Sequence, residues 1–119
     1  MKESIIERAF NGDIFTDLHI IDMHCHLGPT FNYYNPEAEI EQMIEDADRL
    51  GVEKLCIAPH AALSYDHKLG NCLTYNAIQK FPDRVFGLLT LNPNKVNDIA
   101  CENIIMNYRI ICINEKTQL

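Results

Sequence analysis

The chain has 119 residues, 47% of them hydrophobic, and a formal net charge of −7. That length makes one domain at most, yet it suffices to bury a core. The acidic balance argues against nucleic-acid or anionic-membrane partners, which need clustered Lys and Arg, and no apolar run approaches the roughly 20 residues of a membrane span.

In chain order, Ser4-Ile5-Ile6-Glu7 fits a capping box and predicts a short helix that Asn11-Gly12 ends. A strand follows from about Ile20 to His24, in an apolar stretch that reads as buried. Asn32 to Asn35 forms a polar and aromatic loop. The next helix has Asn35 as N-cap, Pro36 in the first position, and Glu37 and Glu39 at the positive helix start. Ile40, Met43, Ile44, Ala47 and Leu50 give it one apolar stripe, and Gly51 stops it.

Val52 to Ala58 is apolar enough for a strand buried on both faces. His60 to Gly70 reads as a loop leading into a helix over Asn71 to Phe81, with Leu73, Ala77 and Phe81 on one face and Pro82 as its stop. Arg84 to Leu91 is a third strand, Asn92-Pro93-Asn94 a turn, Val96 to Met106 a helix and Arg109 to Ile113 a fourth short strand. Alternating strands and helices predict an α/β fold, a parallel sheet joined by right-handed crossovers.

The chemistry concentrates in Asp22-Met23-His24-Cys25-His26-Leu27-Gly28. Side chains alternate along a strand, so His24 and His26 share a face, with Asp22 one step earlier on it and Cys25 opposite. Functional groups in parallel α/β folds gather at the carboxyl ends of strands, where this pair falls. Two imidazoles on one face can share a divalent metal ion, and a nearby Asp can orient one of them. The competing reading is two histidines that only cap a strand by hydrogen bonding.

The other candidates carry weaker signals. His60 follows Ala58-Pro59 at the end of the second strand, facing the same cleft or open solvent. His67, after Asp66, reads as a helix-start or surface residue, and His19 has the wrong parity for a ligand. Tyr33 and Tyr34 either line a pocket or simply pack. The five cysteines are odd in number and form no CxxC pair. They read as reduced thiols of a cytoplasmic protein, with no nucleophile among them. The amino terminus shows no signal-peptide apolar stretch.

Asp22-x-His24-x-His26-Leu27-Gly28 resembles the opening motif of the amidohydrolase superfamily, metal-dependent (β/α)8-barrel enzymes. The likeness extends through Ala47-Asp48-Arg49-Leu50-Gly51-Val52-Glu53-Lys54, Lys80-Phe81-Pro82-Asp83-Arg84-Val85-Phe86-Gly87 and Leu91-Asn92-Pro93, and the nearest branch is the amidohydrolase-related one. It implies that His24 and His26 are metal ligands, with Asp22 and His60 lining the site. It also implies a divalent cofactor, zinc foremost, and a small-molecule substrate whose carbonyl is attacked by metal-activated water. A metal-dependent decarboxylase of the same branch and a TatD-type deoxyribonuclease on the same barrel are the enzymatic alternatives. A non-enzymatic half-barrel that self-associates through open sheet edges is the other.

A complete barrel takes about 250 residues. The resemblance therefore implies the N-terminal half of a TIM-type barrel, an incomplete single domain. Residues 1–18 form a lead-in, 19–94 the barrel units and 95–119 a tail that departs from the family pattern, with Lys116 a poor candidate for a metal-bridging lysine. The family's later histidines and its general base are expected to be absent from this chain, so the isolated chain is expected to be inactive.

Overall fold

The computed structural model describes residues 4–36, 38–92, 94 and 110–113. The expected helix Val96 to Met106, Cys101 and Lys116 lie outside the described residues. Helix α1 (Ile5–Asn11) carries the predicted reciprocal cap. Ser4 N–H donates to the Glu7 carboxylate at 2.8 Å, and Glu7 N–H donates to Ser4 Oγ at 3.2 Å. Gly12 ends this helix in the left-handed conformation. The remaining elements are β1 (Ile21–Cys25), α2 (Ile40–Leu50), β2 (Lys54–Ile57), α3 (His60–Ser64), α4 (His67–Lys80), β3 (Val85–Thr90) and β4 (Ile110–Ile113).

The sheet order is β1-β2-β3-β4, and every pair is parallel. From β1 to β2 and from β2 to β3 the chain steps one strand in the same direction, and right-handed connections of this kind put α2 and α4 on one face of the sheet. The packing agrees. Leu55 and Ile57 of β2 and Val85 of β3 meet Ile40, Ile44 and Ala47 of α2 and Ala77 and Ile78 of α4 in one core, with Leu73 and Phe81 packed against it.

Two glycines permit this contact. A Cβ on Gly87 would lie 2.1 Å from Thr74 Cγ2, so only Gly lets α4 sit this close to β3. A Cβ on Gly70 would lie 2.2 Å from Ala62 Cβ and 2.4 Å from its backbone nitrogen, so Gly70 sets the α3–α4 contact.

Side-chain brackets fix the two ends of the sheet. At the amino ends, Arg84 donates through Nε to the Glu53 carbonyl at 2.7 Å and through Nη2 to Asp48 at 2.6 Å and the Val52 carbonyl at 3.2 Å. One guanidinium thus joins α2 and the start of β2 to β3. At the carboxyl end of β3, buried Asn71 donates to the Thr90 carbonyl at 2.9 Å and accepts from the Thr90 N–H at 3.0 Å. Lys80 and Glu41 pair between α4 and α2.

Five expectations need correction. Helix α2 starts at Ile40, not Pro36, with Glu39 as N-cap. The Ala38 carbonyl accepts from Gly28 N–H at 2.8 Å, which engages it with the β1 exit rather than with a helical turn. Leu50, at the border of the apolar stripe, is exposed. His60 to Gly70 is helical rather than a loop: it forms α3 and the first turn of α4, which Asp66 caps by accepting from Leu69 N–H at 3.0 Å. Small residues Ala61, Ala62 and Gly70 allow that tight pairing and leave little apolar periodicity to read.

Strand β1 is not buried. Its residues from Ile21 to His24 are exposed, whereas Leu55, Cys56 and Ile57 of β2 are covered on both faces as expected. β1 is the edge strand and pairs only with β2 among the described residues. Finally, simple alternation fails along β1. Asp22 is in register with Leu55 and Cys25 with Ile57, so the pairing shifts between them. An extra residue of this kind breaks the two-residue period.

The core predicts a steep sensitivity at Gly70. Gly70→Ala should lower unfolding free energy by about 1–3 kcal/mol in urea titration, because the new methyl meets backbone that cannot yield. Gln79→Ala, exposed on the same helix, should stay within about 0.5 kcal/mol.

Candidate metal site at the carboxyl end of the sheet

The ladder between β1 and β2 continues beyond both strands. Ala58 N–H donates to the Cys25 carbonyl and His60 N–H to the Leu27 carbonyl, each at 2.9 Å. These two bonds carry His26 alongside the segment that ends β2 and bring His60 up beside it. His24 is the next-to-last residue of β1, His26 directly follows the strand, and His60 opens α3. All three histidines therefore lie at the carboxyl end of the sheet, where parallel α/β folds place their sites.

His24 Nε2 and His26 Nε2 stand 3.0 Å apart, with their rings edge to face at 4.8 Å between centroids. His26 Nδ1 lies 2.9 Å from the Ala58 carbonyl. A carbonyl can only accept, so Nδ1 carries the hydrogen and the Nε2 of neutral His26 keeps a free lone pair. His24 Nε2 faces that lone pair at hydrogen-bond distance. A backbone carbonyl on Nδ1 is the arrangement that fixes a ligand imidazole with Nε2 aimed at a metal.

Asp22 reaches the pair through the backbone. Its Oδ1 accepts from His24 N–H at 2.9 Å, an Asx-type contact at the register shift, rather than from an imidazole. His60 is buried, with its ring tilted by 32° against His26 at 4.7 Å and its Nε2 in hydrogen-bond contact with the Tyr33 hydroxyl at 3.1 Å. Burial, and then the neighbouring His26, hold the His60 pKa below the usual imidazole value. Tyr34 points to solvent and is 90% exposed.

His19 and His67 are placed apart from this cluster. His19 pairs with Glu53 at 2.6 Å at the amino end of the sheet, and His67 is the first residue of α4. Among the described residues no three His, Cys, Asp or Glu side chains are arranged to hold a metal ion, so His24 and His26 stand as a pair. Two surface grooves, of about 480 and 430 Å³, are lined by none of His24, His26 and His60: one lies around His19, Glu53 and Arg84, the other between α2, α4 and the exit from β1 at Leu27, Gly28 and Pro29. No helix among the described residues is long and apolar enough to cross a membrane.

Sequence reasoning missed the Ala58 carbonyl, which leaves no trace in residue identity. It also missed Asn71, whose only signal is a polar residue inside the apolar pattern of α4. Tyr33 was visible as an aromatic near the strand exit, but its partner across the loop was not. No protein-family model, curated protein or solved structure matches the chain.

Burial pushes the Cys25 thiol up to about 12, with Asp22 adding to the effect, and burial also raises Cys56. Peptide-resolved alkylation of the native protein at neutral pH should therefore label exposed Cys72 ahead of Cys25 and Cys56, which stay protected until unfolding. Equal labelling of Cys25 and Cys72 would contradict this assignment.

Proposed function

We propose that the chain supplies the first corner of a metal-dependent hydrolase centre of the amidohydrolase type, within the N-terminal (β/α) units of a barrel. The observation that carries this reading is the His24–His26 pair, with both Nε2 atoms converging at 3.0 Å and His26 locked by the Ala58 carbonyl. Sequential, all-parallel strand order with the helices on one face supports it, because a singly wound sheet of this kind closes into a barrel rather than a doubly wound stack.

His24 and His26 would hold the metal, zinc foremost. When bound, such an ion acidifies a water and polarises a substrate carbonyl. His26 presents a pre-oriented lone pair, while exposed His24 swings in from the edge strand. Asp22 fixes the His24 backbone, and His60 with Tyr33 forms one wall of the cleft. In the resemblance, the further ligands and the general base come from later barrel strands. A decarboxylase or a TatD-type deoxyribonuclease would use the same pair, and the acidic charge disfavours the latter.

One observation favours a second reading, association through the open edge. Ile21 and Met23 of β1 are 45% and 56% exposed on an edge strand, a surface that invites pairing with another chain. A monodisperse monomer in sedimentation velocity would remove that reading.

Isothermal titration tests the first. The chain should bind zinc at one site, and His26→Ala or His24→Ala should each weaken it by about tenfold or more. Binding that survives both substitutions would overturn the assignment.

A further inference from the structure

The segment from Gly28 to Ala38 is closed at its base and fastened at its tip. Its base is the 2.8 Å bond from Gly28 N–H to the Ala38 carbonyl, and both residues are buried. A compact loop with its ends joined in this way behaves as an Ω-type strap. Its aromatic side chains reach across α3 at two points. Phe31 packs on Tyr65, the C-cap of α3, with centroids 5.8 Å apart, and Tyr33 bonds to His60, its first residue. The strap therefore spans α3 from end to end.

The second fastening leads to the metal pair. The Tyr33 hydroxyl holds His60 Nε2 at 3.1 Å, the His60 ring lies against the His26 ring at 4.7 Å, and His26 Nε2 faces His24. His26 Nδ1 is held by the Ala58 carbonyl, and its other polar contact, at Nε2, is with His24, itself exposed on the edge strand. A hydrogen bond to a backbone carbonyl favours one tautomer but lets the ring rock, and rocking weakens the very bond that sets that tautomer. A second surface against the ring removes that freedom. His60 is that surface, and it needs Tyr33 because its own ring would otherwise turn.

We propose that Tyr33 is a positioning residue for the metal site: acting through His60, it holds the His26 imidazole in its ligand orientation. The strap after β1 thereby sets the geometry of the ligand that β1 delivers. This role rests on the reading of His24 and His26 as metal ligands, and it is separable from that reading by experiment.

The test compares wild type, Tyr33→Phe and Phe31→Leu by histidine ring ¹⁵N NMR above the imidazole titration range, followed by zinc titration. Tyr33 is 56% exposed, so removing its hydroxyl should lower the unfolding midpoint only slightly, through the loss of one partner of buried His60, and leave the chain folded. In wild type, His26 should show one tautomer, with the hydrogen on Nδ1. In Tyr33→Phe its two ring nitrogens should shift toward averaged values, and zinc affinity should fall about tenfold. Phe31→Leu, which loosens the strap but keeps the hydroxyl, should resemble wild type.

An unchanged His26 signature in Tyr33→Phe overturns the proposal, as does an equal effect from Phe31→Leu. If wild type takes up no zinc, the metal reading fails, and the His26 tautomer comparison still decides the positioning role.

Discussion

The pairing of β1 with β2, carried past the strands by two more backbone bonds, is the constraint on which the site depends. Cys25 and Leu27 accept from Ala58 and His60, so the chain stays in parallel register until α3 begins. That register delivers the Ala58 carbonyl to His26 Nδ1 and lays the His60 ring against His26. Without it, an HxH sequence at the end of an exposed edge strand would be two mobile imidazoles. With it, one is locked and the other has a partner at 3.0 Å.

The core makes this register affordable. Strand β2 is covered on both faces and anchored by α2 and α4 through Leu55 and Ile57, while Gly87 and Gly70 allow the helices to approach the sheet and each other. Arg84 and Asn71 then satisfy backbone groups at opposite ends of the strands, where ladder bonds run out. The rigidity sits in β2 and β3. The exposed strand β1 carries His24 and takes its order from its pairing with β2.

Much of the fold was legible because its signals are local. The Ser4–Glu7 cap, Gly12 and Gly51 as helix stops, and the apolar runs of β2 and β3 each declare themselves within a few residues. The failures share one cause, competition from distant backbone. Asn35-Pro36 is a sound helix start, yet the Ala38 carbonyl is engaged by Gly28 from across the loop. The α3 segment is built from small residues whose purpose is close packing, so it carries little periodicity. Alternation gave the shared orientation of His24 and His26 correctly and misled at Asp22, because a register shift cannot be read from residue types. The lock on His26 was illegible for a plainer reason: a carbonyl belongs to every residue.

The most direct test of the account follows the histidine ring nitrogens by ¹⁵N NMR while zinc is added to the wild-type chain. The account predicts that His24 and His26 Nε2 shift together to values of coordinated nitrogen, saturating at one equivalent, while His26 Nδ1 keeps its hydrogen. Shifts confined to His19 or His67, or coordination of His26 through Nδ1, would contradict it.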